Sequence, residues 1–282
     1  MIRPAAVAGA FYEASPEYLR RHVRELLDTR PKKSVVDTLG PAADPGAAVG
    51  AIVPHAGYVY SGPVAGRVYA RLDIPPRVVI LCPNHTGRGA RAALDPSEAW
   101  STPLGDVPVD QRLAGRLREL APSLEPDARA HAREHSLEVQ LPFLQVLRPD
   151  VEIVAVCLGV PDLALCAEVG KALARLCAEE RASGKVSPLV IASSDMNHYE
   201  PRKVGREKDD LALARIEAVD PEGLFATVMT ESISMCGFLP ATALLFAARE
   251  AGVTAARVIA RSDSGEETGD TSSVVGYAGV IV

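Results

Sequence analysis

The chain runs to 282 residues, 48% hydrophobic and 23% charged, the make-up of an ordinary globular protein near the upper size that one hydrophobic core serves. Its net charge of −6, with no basic run or stripe, argues against a general nucleic-acid or anionic-membrane partner. No stretch approaches the roughly 18 apolar residues of a membrane span, and the segment MIRPAAVAGAFYEAS lacks the apolar core of a secretory signal.

Helix-like and strand-like segments alternate along the chain, the pattern of an α/β layered fold. One domain is expected over 1–282, because no linker, repeat or low-complexity tract divides it. A first helix is predicted over 16–28, capped by Ser15, and His22 between Arg21 and Arg24 reads as a solvated surface residue. A Pro/Gly-rich stretch at 41–46 leads to a short apolar strand at 49–53. AIVPHAGYVYSG then puts His55 just past that strand, before a turn and a helix over 61–71 that Ser61 would cap. Tyr58 and Tyr60 either line an opening there or simply pack.

RVVILC at 77–82 is apolar at consecutive positions, as suits a strand covered on both faces, and PNH places His85 at its exit. Cys82 ends that strand and reads as core. WSTPLGDVPV at 100–109 has the punctuation of a hairpin or loop excursion. Helices follow over 110–121 and 136–147. His135 stands at the start of the second, with Ser136 as its cap and Glu138 complementing the helix dipole. A pocket-lining role and a structural one both remain open for His135.

The strand at 151–157 and the helix at 162–180 hold Cys157, Cys166 and Cys177 as small apolar fillers. LVIA at 189–192 exits into Ser193, Ser194, Asp195 and His198, and a helix follows over 204–219. Cys236 starts an apolar helix over 237–250, where the helix dipole and free N–H groups favour a thiolate; a plain buried cysteine is the competing reading. Strands at 257–260 and 274–282 close the chain. Five scattered cysteines without a CxxC pair suit a reducing cytoplasm.

Three strand exits presenting histidine point to one shared site, because ligands of open α/β sheets bind outside the carboxyl ends of the strands. Other constellations are missing: no GxSxG elbow, no phosphate loop, no GxGxxG and no HExxH. The Ser193–Ser194 pair lacks the glycines of a nucleophile elbow.

Taken together, PHAGYVYSG (54–62), PNH (83–85), EHSLEVQLPFLQ (134–145), SSDMNH (193–198), MCGFLPATALL (235–245) and GDTSSVVGYAG (269–279) resemble the Memo family, called AmmeMemoRadiSam system protein B in prokaryotes. The resemblance implies a three-layer α/β/α fold with a mixed central sheet, similar to the catalytic subunits of class III extradiol ring-cleavage dioxygenases. It implies a metal site of His55, His85 and Cys236, with His198 as acid/base and Asp195 beside it. Fe(II) is the first expectation for the ion, with Cu or Zn behind it, since a thiolate is softer than the carboxylate of the usual iron triad. Two functions are implied: metal-dependent oxidation of a small molecule, or a non-catalytic adaptor holding a peptide or effector in the same cleft. The prokaryotic name also implies a radical SAM enzyme and an AMMECR-type protein as partners; any cluster would sit on another chain, because no CxxxCxxC occurs here.

Overall fold

The structure, a computed structural model, describes residues 1–28, 36–37 and 48–282; the Pro/Gly-rich stretch at 41–46 lies outside them. Strand β1 (Ile2–Arg3) leads to helix α1 (Pro16–Leu27), and β2 (Val36–Asp37) precedes β3 (Gly50–Val53), α2 (Tyr58–Tyr69) and β4 (Arg77–Pro83). Short strands β5 (Ala92–Leu94), β6 (Ala99–Thr102) and β7 (Gly105–Pro108) follow, then α3 (Gln111–Leu120), β8 (Glu125–Pro126) and the single-turn helices α4 (Ala128–His131) and α5 (His135–Glu138). Next come α6 (Leu141–Leu147), β9 (Glu152–Leu158), α7 (Leu163–Ala182), β10 (Leu189–Ser193) and β11 (His198–Glu200). The chain ends with α8 (Arg202–Glu217), α9 (Pro221–Thr230), α10 (Phe238–Glu250), β12 (Arg257–Asp263), α11 (Gly265–Thr268) and β13 (Val274–Ile281).

Among the described residues ten strands form the main sheet, in the order β2-β12-β13-β3-β10-β4-β9-β5-β8, with β11 paired to β13. Its centre, β3-β10-β4-β9, is parallel, while β12 and β13 pair antiparallel with their neighbours and β5 pairs antiparallel with β9 but parallel with β8. Successive side chains of a strand point to opposite faces, and both faces are used. Val78, Ile80 and Cys82 of β4 join a core with α1, α2 and α6, whereas Val79 and Leu81 join another with α3, α7, α8 and α10. Helices therefore cover the sheet on both sides, which is the three-layer α/β/α arrangement. Burying each large apolar side chain in these cores contributes about 1.5–3 kcal/mol relative to leaving it in water.

Residue chemistry explains the boundaries. Asp110, Asp162 and Asp220 accept hydrogen bonds from Leu113, Leu165 and Gly223 at 2.8, 3.1 and 2.8 Å, capping α3, α7 and α9. The segment at 100–109 is indeed a hairpin, β6 against β7, with β1 alongside. Helix α2 starts at Tyr58 rather than residue 61; Ser61 lies inside it and donates to the Ala56 carbonyl at 2.8 Å, so it caps nothing. The stretch expected as one helix over 136–147 is two, α5 and then α6 with Pro142 in its first turn. Helix α9 is an addition to the expected elements, although Asp220 followed by Pro221 is a helix-start signal. The layers pack closely: a Cβ on Gly170 of α7 would lie 2.4 Å from the Phe246 Cβ of α10, so alanine there would push the two helices apart. Among the described residues no helix is long and apolar enough to cross a membrane.

Candidate metal centre

Strand β10 lies between β3 and β4 in parallel, so the loops leaving the three strands emerge side by side. His55 follows β3 and His85 follows β4; the centroids of their rings are 5.2 Å apart. Helix α5 brings His135 to 5.5 Å from His55 and 4.6 Å from His85. A ring nitrogen from each of the three lies within 4.8 Å of the others, close enough to hold one metal ion among the described residues.

Cys236 arrives from the segment before α10. It stands ahead of the helix, whose N-cap is Gly237. A Cβ on Gly237 would lie 2.2 Å from the Ser193 carbonyl oxygen and 2.4 Å from the Ser194 Cβ, so only glycine permits this close approach. The approach carries the half-buried Cys236 to His55, with its Sγ 3.1 Å from Nε2. The Asp195 N–H donates to the same sulfur at 3.3 Å. Burial, and then the Asp195 carboxylate, push this thiol well above its ordinary pKa, against the helix-dipole effect expected to favour a thiolate.

Hydrogen positions follow from the partners. Ser193 gives its only hydroxyl hydrogen to the Ser136 carbonyl at 2.6 Å, and accepts from Gln140 Nε2 at 2.9 Å. Its contact of 2.9 Å with His55 Nδ1 must therefore be donated by the imidazole, leaving the Nε2 lone pair turned toward Cys236. His85 Nδ1 likewise donates to Glu134 Oε1 at 2.8 Å, which leaves Nε2 as the nitrogen free to face an ion. Glu134 is fully buried and also accepts from the His85 N–H at 2.8 Å, the Ser136 N–H at 3.0 Å and the Ser136 hydroxyl at 2.6 Å. Burial pushes its carboxyl up, but these bonds outweigh burial and hold it at about 2. Burial, then the neighbouring imidazoles, keep His55 well below the usual histidine range; burial also lowers His135. Both rings are thus neutral, the form that ligates metals.

Asp195 accepts from the His55 N–H at 2.7 Å and the Ala56 N–H at 3.3 Å, bracing the first strand exit rather than orienting His198. Burial raises its carboxyl to about 7. His198 is oriented by Ser234 instead: Nδ1 donates to the Ser234 carbonyl at 2.9 Å, and the His198 N–H to the Ser234 hydroxyl at 2.7 Å. In the neutral ring its Nε2 is left as a proton acceptor, and burial lowers its pKa. Next to it, Tyr199 is 77% exposed and holds a left-handed φ of 60°.

These groups line a cavity of about 780 Å³, walled further by Phe11, Tyr60, Tyr199 and Tyr277. Tyr60 therefore lines the opening, whereas Tyr58 packs and donates to the Val139 carbonyl at 2.7 Å. A cavity of about 840 Å³ lies at the amino ends of the strands, against Val49, Ile74 and Leu189; no histidine lines its described walls, so size alone does not mark the site.

Glu138 does not serve the helix dipole. It pairs in the core with Arg3 and accepts from Ala6 N–H at 2.8 Å, Val7 N–H at 3.0 Å and the Tyr12 hydroxyl at 2.6 Å. Those bonds fix the segment that carries Phe11 to 4.7 Å from the His135 ring. Sequence reasoning missed Phe11, Glu134 and Gln140 as parts of the site; only Glu134, adjacent to His135, offered a signal.

The sequence profile described as Memo-like protein matches residues 3–281. Similar curated proteins include a MEMO1 family protein of Ignicoccus hospitalis, 42% identical over 291 residues and covering 99% of this chain and 98% of that one. Another, from Methanothermobacter thermautotrophicus, is 39% identical over 286 residues and covers 99% of both chains. A third, from Aquifex aeolicus, is 38% identical over 281 residues, 99% of this chain and 98% of that one. Among solved structures, the crystal structure of uncharacterized protein JW3007 from Escherichia coli K12 shares the fold, with a TM-score of 0.50 and 17% identity over 77% of this chain and 90% of that one. A match over nearly the whole length, joined to relatives at about 40% identity, establishes that the chain belongs to the Memo family.

Proposed function

We propose that the chain holds one metal ion at its strand exits and uses it in oxidation chemistry on a small molecule. The observation that carries this reading is the set of three imidazoles whose ring nitrogens converge within 4.8 Å. The ligands are His55, His85 and Cys236, with Fe(II) first and Cu or Zn behind it. His135 offers a nitrogen in place of the sulfur. Nitrogen and thiolate donors suit a borderline or soft ion. Bound there, Fe(II) or Cu would pass electrons to dioxygen, the oxidant this reading requires, which no side chain of the cavity can do.

The remaining residues bind, orient and move protons. Glu134 and Ser193 fix the two imidazoles. His198 Nε2 takes a proton from a ligand hydroxyl, assisted by its fixed orientation on Ser234. Asp195, its carboxyl at about 7, exchanges a proton near neutral pH. Phe11 packs against the His135 ring. Free cysteines throughout the described residues support a reducing, cytoplasmic setting, and the family name supports a radical SAM enzyme and an AMMECR-type protein as partners.

The test is anaerobic purification followed by metal quantitation. Stoichiometric iron is expected in the wild type, and chelator-washed His55→Ala, His85→Ala and Cys236→Ala proteins should lose it while melting cooperatively. Full retention in the three variants overturns the ligand assignment. A second reading, an adaptor that binds a peptide without turnover, draws on the exposed Tyr60 and Tyr199 at the cavity mouth. Metal-free wild type that still binds peptide would favour it.

A further inference from the structure

Strand β13 contributes one side chain to the cavity that the metal reading leaves without a task. Tyr277 faces Val64 and Ala260 with its ring and is only 3% exposed. It lines the cavity, close enough to Asp195 and Tyr60 for their charges to act on its phenol. Among the described residues its hydroxyl has no hydrogen-bond partner, although nearby Tyr12, Tyr58 and Tyr69 each donate to one, at 2.6, 2.7 and 2.9 Å. A nearly buried phenol normally finds an acceptor, and one that lines a cavity without a protein partner is placed to find it in a ligand. Burial, and then Asp195, hold the phenol protonated, so it acts as a donor.

The other walls narrow what that ligand is. Phe11, Tyr60 and Tyr199 present aromatic surface, Ser234, Ser264 and Thr268 present hydroxyls, and no lysine or arginine lines the cavity among the described residues. A carboxylate or phosphate on the ligand would meet no permanently charged cationic side chain there, and would face the Asp195 carboxyl. We propose that Tyr277 is a specificity-determining residue of the cavity, donating its phenolic hydrogen to an oxygen acceptor of an uncharged, planar ligand.

The inference deepens the small-molecule reading of the same cavity but does not require the metal. Its test uses the full chain with benzamide, benzoate and toluene as probes, followed by calorimetry or protein-detected NMR, with cobalt uptake measured separately. Wild type is expected to bind benzamide more tightly than benzoate. Tyr277→Phe should weaken benzamide by roughly three- to tenfold, the worth of one neutral hydrogen bond, and leave toluene binding and cobalt uptake unchanged. Retained toluene binding shows that the cavity has kept its shape. Equal benzamide binding by both proteins, tighter benzoate than benzamide, or no probe binding to the wild type overturns the proposal. Discrimination among the probes by a protein that takes up no cobalt would sink the metal reading and leave Tyr277 in its role.

Discussion

His85 and His198 stand on two walls of one cavity, and each has its Nδ1 engaged, but the groups that engage them differ in kind. His85 is held by Glu134, a fully buried carboxylate that collects four hydrogen bonds and that His135 also approaches, at 3.6 Å. His198 is held by the backbone carbonyl of Ser234, an exposed residue that is itself tied to Asn197 at 3.0 and 3.1 Å. The first wall fixes which nitrogen carries the hydrogen, which a ligand to an ion requires. The second offers only a backbone carbonyl, with no buried carboxylate to hold the ring's proton, which suits a group that must gain and lose protons. Orientation is thus built in on one side and exchange on the other.

The largest effect is expected from breaking the rigid wall. Glu134→Ala leaves four donors without their acceptor, and should lower stability by about 2–4 kcal/mol and metal affinity by roughly 10–100-fold. Thermal melts and cobalt titration measure both. Unchanged affinity in a variant that still folds would mean that the two walls do not differ as described.

A smaller effect tests the support of the second wall. Asn197, which braces Ser234, is itself held by Asp209, whose carboxylate accepts from the Asn197 N–H at 2.9 Å. Burial raises the Asp209 carboxyl from its ordinary 3.8 to about 7. Between those values the folded chain keeps a proton that the unfolded chain has lost, so stability falls as pH rises through this window. Asp209→Asn retains an acceptor and removes the titration. Melts at about pH 5 and pH 8 should show the wild type losing roughly 2 kcal/mol more than the variant. A parallel loss in both would place the pH dependence elsewhere.

The smallest effect concerns Tyr199, whose left-handed φ of 60° is unfavourable for a bulky residue. Tyr199→Gly removes that strain and should raise stability by about 0.5 kcal/mol net of the flexibility glycine adds to the unfolded chain. A fall in melting temperature would show that the exposed ring contributes packing that outweighs its backbone.

How far these walls can be read from the residues follows from the range of the interactions. Strands β4 and β9 are legible because a doubly covered strand must be apolar at consecutive positions. His55, His85 and His198 are legible as strand-exit residues for the same local reason. Glu138 misleads because its first-turn position has a local explanation, while its partner Arg3 lies 135 residues away. Gln140 is silent, since nothing local says that an amide is buried, and Glu134 offers only its place beside His135. The Cys236 thiol is misjudged because helix-start electrostatics can be read locally, whereas the desolvation that outweighs them depends on the loops packed above it.

The tie between Arg3 and Glu138 also sets an order of events in biosynthesis. Residues 3–12 have their carboxylate anchor only after residue 138 has left the ribosome, so the segment bearing Phe11 cannot dock until half the polypeptide exists. Until then Phe11 is not held against the His135 ring.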